Sequence, residues 1–142
     1  MPQLKKSWLL PLSGQKKFIT SVLGYRLSKE VDRGRFEVVT ESFLDVHDLD
    51  SEQPDVVIYN KQKDYHADLI IENVTDDDLE NAIRSMEIFR KIYHISEAFV
   101  LNISKMEWYK VGDTTTRSDY SNVFNIKLDT LLASGLSTYS PR

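Results

Sequence analysis

The sequence predicts an α/β fold, a central mixed β-sheet flanked by helices, and three observations predict it. Two almost continuous apolar runs, residues 54–59 and 67–72, are joined by a short polar turn. An amphipathic stretch follows from Leu79, and a second pair of strand-like runs, 97–102 and 106–111, follows that. Strands and helices interleaved in this order bury their apolar faces best as a sheet covered by helices. At 142 residues the chain has the size of one domain with one core, so a single domain over 1–142 is expected.

Taken in order, Phe18, Ile19, Val22, Leu23, Tyr25 and Leu27 recur at helical spacing. A helix is therefore expected over about 15–31, with Ser13 as a candidate N-cap and Gly24 as a candidate early stop. Residues 32–35 read as a turn. The runs 36–40 and 42–46 are rich in β-branched and aromatic residues, as strands are. The run 54–59 lacks polar alternation, which predicts a strand buried on both faces. The polar residues 60–64 then make it a hairpin partner of 67–72. Thr75, Asp76, Asp77 and Asp78 place cap formers and acids where a helix dipole favours negative charge. In the helix that follows, Leu79, Ala82, Ile83, Met86, Phe89 and Tyr93 form one stripe facing the sheet, to about Ile95. Ile103, Ser104 and Lys105 read as a tight turn between strands 97–102 and 106–111. Residues 112–122 read as loop. Val123, Phe124, Ile126, Leu128, Leu131 and Leu132 read as a cap on the core, and 135–142 as a loose tail.

Composition excludes several kinds of chemistry. Without cysteine there is no disulfide frame, thiolate zinc site or Cys nucleophile. Trp8 to Leu12 is too short for a signal-peptide core and is interrupted by Pro11, and no window approaches a membrane span. An uncleaved, cytoplasmic protein with no membrane partner is expected. The net charge of −4 argues against a broad basic surface for nucleic acid, although a groove can still be locally basic or neutralised by a divalent ion. Lys5, Lys6, Lys16, Lys17, Arg33 and Arg35 are scattered and read as exposed solubilising charge. His47, His66 and His94 lack metal-ligand spacing and read as surface residues. No phosphate-binding glycine loop is present. Trp108 and Tyr109 read as strand residues packed on the core.

The residues that can carry chemistry are Asp55, at the start of one buried run, and Glu72, at the end of the next. In an antiparallel pair these positions adjoin. Two carboxylates meeting there can hold Mg²⁺ or Mn²⁺ through oxygen ligands and leave coordination positions for water and a phosphate. Spacing alone equally describes two solvated strand-end acids.

The stretches 54–58 (PDVVI), 67–75 (ADLIIENVT), the amphipathic helix, 96–101 (SEAFVL) and the closing 126–132 (IKLDTLL) together resemble the Uma-type restriction endonuclease family. That family belongs to the PD-(D/E)XK superfamily. The similarity runs from about Phe36 onward, and its specificity lies in the order and spacing of the motifs. It implies a restriction-endonuclease-like core and metal-dependent hydrolysis of DNA phosphodiesters with Mg²⁺ or Mn²⁺. It makes Asp55 the first metal-binding aspartate and Glu72 the second acid, with Thr75 at the position of a following Ser. The chain departs from the pattern at the lysine. Val74 stands where E-x-K has it, and Ser85 stands at the position on the following helix where the family carries it, about four residues before an aromatic, here Phe89. Arg84, the neighbour of Ser85, is the candidate replacement cation; Lys91 falls on the polar side of that helix. Glu30 is a candidate extra acid from the first helix. DNA is the implied partner, and a homodimer suits a small nuclease that makes two cuts. A catalytically inactive binding or assembly module of the same fold, and an unrelated α/β interaction domain, remain open alternatives.

Overall fold

A computed structural model describes residues 12–132, Leu12 and Ser13 by their backbone alone; the expected loose tail at 135–142 lies outside the described residues. Helix α1 (Leu12–Glu30) leads into β1 (Phe36–Thr40), β2 (Val56–Asn60) and β3 (His66–Val74). Helix α2 (Leu79–Ile92), β4 (Glu97–Asn102), β5 (Glu107–Val111) and the short β6 (Tyr120–Ser121) and β7 (Ile126–Lys127) follow. The five long strands form one sheet in sequence order. β1, β2 and β3 are antiparallel neighbours, β3 and β4 are parallel, and β4 and β5 are antiparallel. Joining the parallel pair requires a crossover, and α2 supplies it. The fold is thus α+β, a mixed sheet between helices, in agreement with the class expected from sequence.

Each face of the sheet has its own core. On one, Ile19, Leu23 and Leu27 of α1 pack on Val56, Ile58, Leu69, Ile71, Phe99 and Leu101, together with Leu128 and Leu132. On the other, Met86 of α2, flanked by Ala82, Ile83 and Phe89, packs on Val57, Ile70, Val74, Ala98 and Val100. Alternation along β2, and along β3 from Leu69 onward past an irregularity at Asp68, divides their side chains between these faces. All five β2 residues are buried, as the lack of polar alternation predicts.

Four local expectations differ from the structure. Helix α1 begins at Leu12, so Ser13 lies inside it and is not its cap. Gly24 does not end α1 but lets it approach β1: a Cβ there would lie 2.6 Å from Thr40 Cγ2. Residues 42–46 form no strand, because their polar groups bond inward within a loop. The Tyr59 hydroxyl donates to the Phe43 carbonyl and contacts Ser42 Oγ, Leu44 N–H donates to the Glu52 carbonyl, and Asp45 N–H to Ser51 Oγ. Helix α2 stops at Ile92, where His94 takes a left-handed conformation (φ 53°) and Ile95 N–H returns to the Arg90 carbonyl, a Schellman-like stop without the usual glycine. No helix among the described residues is long and apolar enough to cross a membrane.

Glu97, buried at the start of β4, anchors the C-terminal segment. Its carboxylate accepts from Ser121 Oγ (2.5 Å), Asn122 N–H (2.7 Å) and Val123 N–H (3.4 Å), and pairs with Lys110 Nζ at 2.8 Å. The β6–β7 hairpin is tied to the sheet by this side chain, by Lys110 Nζ donating to the Tyr120 carbonyl (3.0 Å) and by Phe124 packing edge-on against Phe36. Trp108 packs edge-on against Phe99 and donates from Nε1 to Asp129 Oδ1.

Candidate functional site

The β2–β3 register sets Val56 opposite Ile71, so the next pair outward is Asp55 and Glu72. Val57, Ile70 and Val74 face α2, and by alternation so do Asp55 and Glu72. The two acids therefore share a face and an end of the sheet. Backbone N–H groups hold both carboxylates: Asp55 N–H donates to Glu72 Oε1 (3.1 Å), and Asn73 N–H donates to Asp55 Oδ2 (2.7 Å). The pair is laced together without either side chain being free to swing outward.

Glu72 lines a cleft of about 470 Å³ between the strand ends, α2 and the loop before β2, with Pro54, Glu52, Asn81, Ser85 and Phe89 among its walls. Asp55 sits just behind, only 7% exposed. Burial first, then hydrogen bonding to and repulsion by Asp55, push the Glu72 carboxyl from 4.5 up to about 8, against Lys16 and the Asp55 N–H, which pull the other way. The fold thus holds a second negative charge off the pair until about pH 8.

Lys16 supplies what compensation there is. It reaches round from α1, on the opposite face, to place Nζ 3.6 Å from Asp55 Oδ2, and it lines the cleft. One turn along α1, Thr20 Oγ1 accepts from the side-chain amide of Asn73, which is fully buried and whose Oδ1 has no partner. Asn73 thus binds Asp55 through its backbone and α1 through its side chain.

Of the residues singled out from sequence, Asp55 and Glu72 come together and Ser85 faces their cleft. Arg84 does not join them. Its guanidinium lies 4.0 Å from Glu80 one turn back, on a side chain 73% exposed, which corrects its assignment as the replacement cation: the neighbour of a cleft-facing helical residue points about 100° away. Lys91 and Glu30 are exposed, Glu30 at the far end of α1. The aspartates 76–78 make no side-chain cap; Asp76 Oδ1 instead accepts from Asn102 Nδ2 at 2.6 Å. His66 is not a free surface residue, since its ring nitrogens bond Asp68 Oδ1 (3.0 Å) and the Tyr93 carbonyl (2.9 Å), tying β3 to the end of α2. Lys16 is the participant that sequence reasoning missed. It stands 39 positions from Asp55 among other lysines, and no spacing rule links a helix on one face to strand ends on the other.

Asp55 and Glu72 are the residues that could hold a divalent cation of the Mg²⁺ kind. Both offer hard carboxylate oxygens held by backbone N–H groups, Glu72 at the cleft and Asp55 behind it. Among the described residues there is no group of three or more His, Cys, Asp or Glu placed to hold a metal. Magnesium commonly needs no such cage, using one or two carboxylates with waters and substrate phosphate. What fold and site define together is an α+β protein with a carboxylate pair, Asp55 buried and Glu72 half-buried, and one lysine at the mouth of a cleft. In comparison with known proteins, no family model matches the chain and no curated protein is similar to it.

Proposed function

We propose that the protein is a metal-dependent nuclease of the restriction-endonuclease-like superfamily, hydrolysing phosphodiester bonds in DNA, with Asp55 and Glu72 as ligands for Mg²⁺ or Mn²⁺. One observation carries the reading: two opposed carboxyl groups from adjacent core strands, oriented by backbone N–H groups and with Glu72 kept from ionising until about pH 8, meet beside a cleft. The order of motifs from Phe36 onward supports it. So does the mixed sheet between helices, the architecture the resemblance implies.

When bound, the ion would polarise a phosphoryl oxygen and lower the pKa of a water. The chain's own contribution is positioning. Asp55 and Glu72 are fixed before any ligand arrives, so little reorganisation is needed during reaction, which is where preorganised electrostatics gains its advantage. Phe89, Met86 and Val74 give the cleft an apolar wall that limits water. Deprotonating Glu72 is a precondition for ligation, so metal uptake and activity should rise with pH toward about 8.

The alternative is a catalytically inactive binding or assembly module of the same fold. It is favoured by one observation: α2 offers the cleft Ser85 instead of a lysine, and the acids Glu52 and Asp78 stand nearby. Cleavage of supercoiled and single-stranded DNA with Mn²⁺ at pH 8 separates the two. The nuclease reading expects nicking by the wild type and none by an Asp55→Asn/Glu72→Gln variant. Metal binding without cleavage of either substrate would favour the inactive module.

A further inference from the structure

We infer that Lys16, delivered from α1, is the phosphate-binding cation of this site: it shields Asp55 in the resting protein and turns to a non-bridging phosphate oxygen once a divalent ion takes over that shielding. The inference rests on the reading of Asp55 and Glu72 as metal ligands, and it replaces the expectation that a basic residue of α2 would serve.

Four features of the molecule support it. Lys16 is the only basic residue among those described as lining the cleft, beside Glu52, Glu72 and Asp78. Its Nζ is 3.6 Å from Asp55 Oδ2, an ion pair beyond good hydrogen-bond length, whereas that same oxygen already accepts a 2.7 Å bond from Asn73 N–H. The ammonium is therefore held by charge more than by a directed bond and can change partner cheaply. Its side chain is 41% exposed while that of Asp55 is 10% exposed, so one end of the pair is fixed and the other faces solvent and any ligand in the cleft. Finally, the Asn73–Thr20 hydrogen bond clamps α1 one turn away, which fixes the base of the lysine stem while leaving its head mobile.

A lysine in this position has two opposing electrostatic effects. It competes with a metal ion for Asp55, because two cations near one carboxylate repel. It also attracts a phosphate drawn in by that metal. A purely structural ion pair has neither signature, since losing it loosens the site and weakens both binding events together.

The test is a pair of calorimetric titrations at pH 8 on wild type, Lys16→Met and Lys16→Arg: Mn²⁺ first, then thymidine 5′-monophosphate into the Mn²⁺-loaded protein. Unchanged thermal unfolding of the variants serves as the folding control. Lys16→Met should bind Mn²⁺ at least as tightly as wild type, and its metal-loaded form should bind the nucleotide about tenfold or more weakly, as loss of a charge-assisted hydrogen bond implies. Lys16→Arg should recover most of that affinity. Unaltered nucleotide binding in Lys16→Met, a loss of Mn²⁺ and nucleotide binding together, or no nucleotide binding by loaded wild type would each overturn the role of Lys16 while leaving the metal ligands standing. Absence of Mn²⁺ binding in the wild type would remove the underlying reading and this inference with it.

Discussion

Two buried carboxylate sites, at Glu97 and at Asp55 with Glu72, begin alike and end differently. Each lies at a strand terminus in the same sheet and each has a lysine beside it. Glu97 is saturated, with a hydroxyl, two N–H groups and an ammonium 2.8 Å away answering one negative charge. At the other site two carboxyls face each other with one N–H apiece and a lysine at 3.6 Å, and burial holds Glu72 protonated up to about 8. The difference teaches how to tell a structural acid from one available for chemistry. The first has its lone pairs filled from within the fold, and the second has unsatisfied capacity, a Glu72 that gives up its proton only near pH 8, and an opening onto solvent.

The largest effect should come from breaking the saturated site. Glu97→Ala takes the carboxylate away from buried Ser121, half-buried Lys110 and the Asn122 and Val123 N–H groups and loosens the β6–β7 hairpin, so urea denaturation should show a loss of about 3–5 kcal/mol. Glu72→Gln should do the reverse at pH 8, matching or exceeding wild-type stability, because it removes a charge the fold does not compensate.

Next in size is the pH dependence of metal-free protein. Glu72 is raised from 4.5 to about 8 in the folded state, so between these values the folded chain keeps a proton that the unfolded chain has lost. Stability from this group is complete below about 4.5 and declines as pH rises through about 8, at up to about 1.4 kcal/mol per pH unit. Thermal melts in chelator from pH 5 to 8 should show that decline in wild type, and a flatter profile in Glu72→Gln.

A smaller effect is expected from ligand linkage. Mn²⁺ at about a hundredfold excess over its Kd should stabilise wild type by about 2.7 kcal/mol at pH 8, and by less at pH 6, where a proton competes for Glu72. Smallest of all, Arg84→Ala should alter stability by no more than about 0.5 kcal/mol, since its 4.0 Å pair with Glu80 is solvent-exposed.

The contrast between the two sites also shows what a linear sequence carries. The hairpin of β2 and β3, the crossover helix and the β4–β5 pair were legible because apolar continuity and periodicity are local properties. Asp55 and Glu72 were legible because strand pairing is a short-range consequence of that hairpin. The stop of α2 by a left-handed residue without glycine, His94 at φ 53°, was not. Nor was the saturation of Glu97, whose partners lie 13 to 26 positions away along the chain. Lys16 was seen but read as surface charge, because its meaning depends on how α1 crosses the sheet. That crossing is set in part by the close approach at Gly24 and by Asn73 gripping Thr20.

The central claim is that the Asp55–Glu72 pair is a charge-deficient seat for a divalent cation. Calorimetric titration of Mn²⁺ at pH 8, in two buffers of different ionisation enthalpy, tests it most directly. The account predicts that wild type binds one ion with release of a proton from Glu72, and that the Asp55→Asn/Glu72→Gln variant binds none at this site. Equal binding in both proteins, or none in either, would contradict it.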